Sequence, residues 1–437
     1  MFLKKIFNNP NQREIILKAL VSLFLRGGGY GFGFLFIWLI AQNLGASIQG
    51  IFAIAFLFLS VGSMVGKFGL STAIVKWIAS HPNFEERRII IIKCLGIVFL
   101  FSAVLALVIF FGSTTIAFFY KKPEIVTSIK IAAITIPIFS IIEIGSAVFK
   151  GTKQLAIFSI YFDFLKFLLP AVVFSILYFV FSVSVIELPI FSYLAGYSLL
   201  LIIILIHLQL RCKIFISKKG QVTFLPVKKM LKDSYPMLMA SSIVMIMGWS
   251  DVFILGFFVD EADIGIYSTA VRIATLVSFT YTAIVAIMTP KIAEYFHMNN
   301  HQDFKATIAF SSKLMFLCSL PIFLVLFVFS EFFLSIFGEV YKEGSLVLKI
   351  LLLAQFTNVI TGPVGPIFQM TGLQHTLQRF LVLSLMVNLI FSIALVYPLK
   401  LEGVAIGSAL GMICWNLLGA IYLKKKRKLV TWINFSR

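Results

Sequence analysis

The chain has 437 residues, of which 60% are apolar and 13% are charged, and it carries a formal net charge of +19. Soluble domains are about 45–50% apolar and about 25% charged. No water-soluble globule could bury its 48 phenylalanines together with the surrounding leucines and isoleucines. The composition therefore excludes a soluble domain and predicts an all-α, polytopic membrane protein.

Twelve apolar stretches are each long enough to cross a bilayer as a helix, which takes about 20 residues. In chain order they lie at 15–41, 48–75, 91–112, 125–149, 155–182, 187–210, 235–259, 264–290, 307–330, 346–370, 379–398 and 403–423.

The distribution of basic residues predicts the orientation of these spans. With the N-terminus inside, 27 of the 37 lysines and arginines fall in cytoplasmic segments, five in external loops and five within spans. This is the bias of the positive-inside rule, so we expect both termini to be cytoplasmic. The densest inner clusters are 211–232 and the tail 424–428. We expect them to contact anionic membrane lipids rather than nucleic acid.

The first span contains an unusual stretch, LFLRGGGYGFGFLF at 23–36. An arginine at the centre of a membrane helix costs about 2.5–3.5 kcal/mol, so Arg26 must face water or a partner instead of lipid. The glycines around it permit close approach of a neighbouring backbone. Gly29 and Gly33 form a GxxxG pair, for which tight helix packing is the favoured interpretation.

Two phrases recur in the second half of the chain. LGASIQGIFAIA at 44–55 resembles LGFFVDEADIGIYSTA at 255–270, and FKGTKQLAIF at 149–158 resembles MTGLQHTLQRF at 370–380. Each half holds six spans, an even number, so the halves share an orientation. We expect two six-helix lobes, 1–212 and 213–437, related by a pseudo-twofold axis along the membrane normal, with a basic cytoplasmic tail.

Charged side chains inside spans are the candidate site residues, because they are costly in lipid and mark substrate or ion pathways. The cations are Arg26, Lys67, Lys130, Lys166 and Arg272, and the acids are Glu143, Asp163 and Asp251.

Structural roles compete with functional ones at several of these positions. Asp163 and Lys166 lie three apart on one helix and could neutralise each other. Asp251 and Arg272 have matching depths across a helical hairpin, which allows a salt bridge. Lys67 and Lys130 lie near membrane boundaries, where they could reach the headgroups.

Arg26 has no acidic neighbour along the chain, and we expect it to have a functional role. Unpaired arginine and lysine side chains in a wet cleft bind anions, and arginine suits phosphate. The intramembrane charges therefore favour an anionic, phosphorylated cargo.

Motifs for catalysis and cofactors are not found. The glycine-rich stretch lacks the Lys-Ser/Thr of an ATP-binding loop, and no nucleophile elbow occurs. His297 and His301 have zinc-like spacing without an obvious third ligand. Four cysteines (Cys94, Cys212, Cys318, Cys414) are scattered without pairing. We expect neither enzyme activity, nor a cofactor, nor a bound metal.

Several segments resemble a known family. AQNLGASIQGIFAIAFLFL and KFGLSTAIVKWIA in the first half, and DVFILGFFVDEADIGIYSTAVRIA, TPKIAEYFH, SIFGEVYKEGSLVLKILL and GPVGPIFQMTGLQHTL in the second, occur in the expected order. Together they are similar to the polysaccharide-export and O-antigen flippases of the MATE-like (MOP) superfamily. One departure is Gln42, where many relatives have a basic residue.

The resemblance implies a flippase of the bacterial cytoplasmic (inner) membrane. It would move an undecaprenyl-pyrophosphate-linked oligosaccharide to the outer leaflet by alternating access, with other glycan-assembly proteins as further partners. The family's cavity is often cationic, which matches Arg26 and Arg272 and, less closely, Lys166. Asp251 or Glu143 could couple transport to protons or sodium. A cation-coupled drug or metabolite antiporter and a scaffold or polymerase of a glycan-assembly complex are the alternatives.

Overall fold

A computed structural model describes the backbone of residues 10–433 except 82, 215–225 and 299. Side chains are described for the same residues apart from 10–20, 23 and 240. The predicted basic cluster 211–232 therefore lies partly outside the described residues. Within the described ranges the regular structure is entirely helical, which confirms the predicted fold class.

Thirteen helical segments follow one another along the described chain, and a 3₁₀ turn at Glu339–Gly344 precedes the eleventh. They are α1 Pro10–Gly66, α2 Leu70–Ser80, α3 Phe84–Tyr120, α4 Ile125–Gly151, α5 Leu155–Val180, α6 Leu188–Cys212, α7 Val227–Phe258, α8 Glu261–His297, α9 His301–Val328, α10 Ser330–Ser335, α11 Ser345–Ile360, α12 Val364–Met370 and α13 Gln374–Arg427.

Ten helices in the described part of the chain are long and apolar enough to cross a membrane. Two of them are interrupted by non-helical residues, α1 at Gly45 (φ 83°) and α13 at Lys400 (φ 44°). Each of these two long helices exceeds 40 residues and can provide two crossings of about 20 residues. The chain is a multi-span membrane protein, while the count of twelve spans and the pseudo-twofold symmetry stay predictions.

The chain divides into two compact units. The first contains Met1–Ile40 and Ile51–Ser242, and the second contains Ala41–Gly50 and Ile243–Arg437. The short segment around the break in α1 thus belongs to the second unit. The division into two six-helix lobes at 1–212 and 213–437 stays a prediction.

The first repeated phrase lies at a close helix contact within the second unit. A Cβ atom on Gly50 would collide with the backbone carbonyl of Glu261, and one on Gly265 would collide with the carbonyl of Ala46. Next to these glycines, the buried Gln49 donates to the Thr269 hydroxyl at 2.5 Å. The two matching glycines therefore serve the same physical purpose, which is close contact between backbones.

The second repeated phrase forms the same turn in both places. In the first, the N–H of Gln154 donates to the carbonyl of Phe149 at 2.8 Å, after Lys153 with φ 63°. In the second, the N–H of Leu373 donates to the carbonyl of Phe368 at 2.8 Å, after Gly372 with φ 74°. Helices commonly end with a residue in the left-handed conformation, after which the next N–H donates a hydrogen bond to the carbonyl five residues earlier. The sequence echo thus corresponds to a shared local structure.

The proline-rich stretch TGPVGP at 361–366 separates two helices, α11 and α12, and the C-terminal segment packs onto this break. Gly362 has φ 79°, and a Cβ atom there would collide with the carbonyl of Thr431. The Ser312 hydroxyl donates to the same carbonyl at 2.6 Å, and Leu429 joins the neighbouring buried apolar cluster. The break is a packed structural feature of the second unit.

Candidate functional site

Arg26 forms an ion pair with a carboxylate on a helix far along the chain. Its Nε atom donates to Oδ1 of Asp163 at 3.2 Å, although the two residues are 137 positions apart. The Asp163 side chain is 9% exposed, whereas the Arg26 side chain is 38% exposed. The structure therefore corrects the expectation of an arginine without an acidic partner, because the packing of α1 on α5 supplies one.

Glycines next to Arg26 make this contact possible. A Cβ atom on Gly29 would collide with the backbone carbonyl of Asp163, and one on Gly28 would lie 3.0 Å from the Phe164 ring. Only a residue without a side chain allows α1 to approach α5 so closely. The glycine-rich stretch of the first span is thus explained by helix packing, and this packing brings the arginine to the carboxylate.

A π-helical turn at Ile160–Leu165 carries Asp163, and Lys166 follows immediately after it. In a turn with i→i+5 hydrogen bonds, residues three apart no longer lie above one another as they do in an α-helix. Asp163 accordingly pairs with Arg26, while Lys166 Nζ lies 3.8 Å from Oε1 of Glu143 on α4. The sequence allowed Asp163 and Lys166 to neutralise each other, and the structure adds a further partner for each of them, Arg26 and Glu143.

Glu143 is shared by two lysines. Its Oε2 atom pairs with Nζ of Lys67, which lies between α1 and α2, and its Oε1 atom faces Lys166. All three side chains are largely buried, at 10% to 14% exposure. Lys67 therefore pairs inside the protein, which is not the headgroup position that the sequence also allowed, and its role in binding substrate stays a prediction.

Aromatic rings surround the ammonium group of Lys166. Its Nζ atom lies 4.5 Å from the ring centre of Phe162, 4.7 Å from that of Phe139 and 5.7 Å from that of Phe167. Cations are attracted to aromatic faces at such distances, more strongly where water is excluded. These rings make a buried lysine tolerable even though its carboxylate partner is at the limit of ion-pair distance.

Arg26 pairs with Asp163, and Glu143 pairs with Lys67 and Lys166. The two groups are joined through α5, which carries both Asp163 and Lys166, and we call the five residues the first-unit charge cluster. It contains three cations and two carboxylates, so its formal charge is +1. Arg26 is the most exposed member of the cluster, and it pairs with Asp163 through its Nε atom. The cluster thus combines a positive excess with one accessible guanidinium, the group that binds phosphate most specifically.

The other two predicted cations lie outside this cluster. Lys130 is half-buried, and its Nζ atom lies 5.6 Å from the ring centre of Phe110. It precedes Glu143 on α4 by 13 residues, which is about 20 Å along the helix. Arg272 belongs to α8 in the second unit, where it is half-buried and has contacts of its own. Their roles in binding substrate stay predictions.

Asp251 lies in a network of hydroxyl and amide groups that the sequence did not reveal. Tyr267 donates to Oδ2 of Asp251 at 2.6 Å, and Ser408 donates to Oδ1 at 2.5 Å. Asn388 donates to Ser408 at 2.8 Å and accepts from Ser250 at 3.0 Å. Asp251 is only 9% exposed. Hydroxyl groups therefore hold this carboxylate, and the salt bridge between Asp251 and Arg272 stays a prediction.

Metal binding by clustered side chains is not found in the described parts of the chain. No group of three histidine, cysteine, aspartate or glutamate side chains is close enough there to hold an ion. The four cysteines are all free thiols.

Together the spans and the buried charges define a helical, multi-span membrane protein with ionised side chains among its helices. The chain matches the family described as polysaccharide biosynthesis protein over residues 41–345, and it belongs to that family. It is 27% identical over 176 residues to the Haloferax volcanii protein described as a probable low-salt glycan biosynthesis flippase, Agl15. That match covers 40% of this chain and 37% of the length of the Haloferax protein.

A second relative matches over a longer range. The chain is 24% identical over 334 residues to a Shigella flexneri protein named as an O-antigen transporter, covering 74% of this chain and 76% of that protein. The family and both of these relatives confirm the resemblance that the sequence motifs indicated, and the relatives are named as a flippase and a transporter rather than as enzymes.

Solved structures with the same fold include transporters of two kinds. The lipid II flippase MurJ in an inward closed conformation has a TM-score of 0.74 at 17% identity, covering 94% of this chain and 88% of MurJ. An inward-facing multidrug resistance MATE transporter of the MOP superfamily has a TM-score of 0.70 at 18% identity, covering 94% and 98%. At such identities the likeness establishes the fold alone and does not identify the cargo.

The close approach at Gly29 can be tested by a matched pair of glycine substitutions. We expect Gly29→Ala to lower the free energy of unfolding by about 1–3 kcal/mol, because the added methyl group forces α1 away from Asp163. Gly31→Ala, two residues along the same helix, has nothing within 4 Å of its added Cβ and should be neutral or slightly stabilising. Thermal unfolding of the purified protein in detergent measures both. Equal midpoints for the two variants would contradict the packing role of Gly29.

Proposed function

We propose that this protein is a flippase for an anionic, lipid-linked oligosaccharide of the undecaprenyl-pyrophosphate type, such as the repeat unit of an O-antigen. It works in the bacterial cytoplasmic membrane with both termini inside, and it moves the headgroup to the outer leaflet by alternating access. Family membership and the names of the two relatives support the general function. The negative charge of the cargo is inferred from one observation, the +1 excess of the first-unit charge cluster.

Arg26 holds a phosphate of the cargo in this proposal. Its guanidinium is the most exposed charged group of the cluster, and it can offer further N–H donors beyond the one given to Asp163. Lys67 and Lys166 contribute positive potential from buried positions. The lipid tail stays in the bilayer while the sugars and phosphates cross. Arg272 is the proposed contact in the second unit, and other glycan-assembly proteins are proposed partners.

A cation-coupled drug or metabolite antiporter is the other function compatible with the fold. A cationic cargo requires a binding region with an acidic excess, because opposite charges attract and like charges repel. The first-unit charge cluster has the reverse balance, so the anionic cargo is the better-supported proposal. Efflux of a cationic dye by the reconstituted protein would favour the antiporter instead.

The role of Arg26 can be tested in cells that depend on this protein for surface polysaccharide. Removal of the phosphate-binding guanidinium in Arg26→Ala should reduce surface polymer at least tenfold, the effect of losing about 1.4 kcal/mol or more of binding. The double variant Arg26→Ala/Arg272→Ala should lose more. Lys342→Ala, which removes an exposed lysine paired with Glu339, is the control and should behave as wild type. Normal polymer in the double variant, at equal protein levels, would refute the mechanism.

Asp251 is the proposed site of ion coupling, as a carboxylate that binds a proton or a sodium ion. Its hydroxyl shell gives a buried negative charge the hydrogen bonds that it needs, and the same oxygens suit a small hard cation. Glu143 is less suitable because two lysines already pair with it.

Substitution Asp251→Asn should make transport insensitive to the driving ion, since the amide keeps the shape of the side chain and loses its charge. Transport is measured in proteoliposomes at fixed sodium with a varied pH gradient, and at fixed pH with a varied sodium gradient. The wild type should respond to one of the two gradients and the variant to neither. An Asp251→Asn protein that keeps the wild-type response excludes Asp251 from coupling.

A further inference from the structure

Asp163 is an incompletely satisfied carboxylate. Its Oδ1 atom accepts the hydrogen bond from Arg26, whereas its buried Oδ2 atom has no hydrogen-bond partner among the described residues. Buried carboxylates are normally paired at both oxygens, because a desolvated anion without partners is costly. Asp163 can therefore accept a second cation without displacing any existing hydrogen bond.

Lys166 is the cation best placed to be that second partner. It follows Asp163 by three residues, and its present pair with Glu143 is long at 3.8 Å. Glu143 is already paired with Lys67 through its other oxygen. Lys166 can leave Glu143 while that carboxylate keeps a cation. The flexible stem of lysine and the non-directional attraction of the surrounding rings permit such a movement.

We propose an ion-pair exchange in the first-unit charge cluster, which rests on the proposed function of Arg26 as a phosphate ligand. When an anionic diphosphate headgroup binds Arg26, Asp163 releases the guanidinium and pairs with Lys166 instead. Glu143 stays with Lys67. Before and after the exchange each carboxylate has a cation, and the positive excess of the cluster is transferred onto the bound anion.

The exchange explains why the cluster needs three cations and two acids. Removing Arg26 from Asp163 without a replacement would leave a buried, uncompensated carboxylate, which is strongly destabilising. Lys166 prevents that loss, so the phosphate competes with Asp163 at a small net cost. Asp163 is thus a positioning residue that holds Arg26 between transport cycles, and Lys166 acts through Asp163 rather than by touching the cargo.

The π-helical turn gives the exchange a structural basis. In the present register, Asp163 and Lys166 are directed towards different helices, to Arg26 on α1 and to Glu143 on α4. A change of this turn to α-helical geometry would place residues three apart on the same face, where opposite charges attract. Single π turns within α-helices occur frequently at functional sites.

Binding of farnesyl diphosphate to the purified full-length protein in detergent tests the exchange. Asp163→Asn should bind about tenfold more tightly, because the carboxylate no longer competes for Arg26. Lys166→Met should bind about tenfold more weakly, because Asp163 then keeps the arginine. In the Asp163→Asn background, Lys166→Met should change the affinity little. Lys342→Met is the matched control and should leave every affinity unchanged.

The double variant separates the exchange from a direct role of Lys166. If Lys166→Met weakens binding equally with and without Asp163, the lysine binds the anion itself and the exchange is wrong. Unchanged or weaker binding by Asp163→Asn also overturns it. Arg26→Ala tests the proposed function separately, since undiminished binding there removes the phosphate ligand whatever the other variants show. Thermal unfolding checks each variant, and Lys166→Gln and Asp163→Ser replace any substitution that yields no folded protein.

Discussion

Burial of ionised side chains among membrane-spanning helices is the constraint on which the rest of this structure depends. A charge left alone in such a setting is costly, so it must be paired, hydrogen-bonded or open to water. The protein uses ion pairs in the first unit, where Arg26, Lys67 and Lys166 share Asp163 and Glu143. In the second unit it uses hydroxyl groups around Asp251. Both solutions keep charge inside the protein and available for function.

Glycine packing makes the first of these solutions possible. Gly29 lets α1 touch the backbone of α5 at Asp163, which places an arginine and a carboxylate from distant parts of the chain within ion-pair distance. The π turn then directs Lys166 towards α4 and away from Asp163. The cluster keeps a net positive charge because these local features distribute three cations over two acids. This balance is what supports the proposed binding of an anion.

The class of protein and its family could be predicted from the sequence, because hydropathy and extended motifs are properties of the chain alone. The echo of Gly50 at Gly265 also indicated a real feature, a close backbone contact that any side chain would block. The pairing of Arg26 with Asp163 could not be predicted, since 137 residues separate them and only tertiary packing joins them. The π turn has no signature in helical periodicity, so the contact of Lys166 with Glu143 on α4 was not predicted. The hydroxyl groups around Asp251 come from several helices, and serine is too common in such helices to be informative.

Selection of an anionic cargo by the first-unit charge cluster is tested most directly by transport with the purified protein. The protein is reconstituted into liposomes with two fluorescent substrates that share the same polyprenyl tail and sugar. In one the sugar is attached through a diphosphate, and in the other through an uncharged ether. We expect flipping of the diphosphate compound and no flipping of the ether above that of protein-free liposomes. Equal rates for the two compounds would contradict a mechanism in which a positively charged cluster selects the cargo.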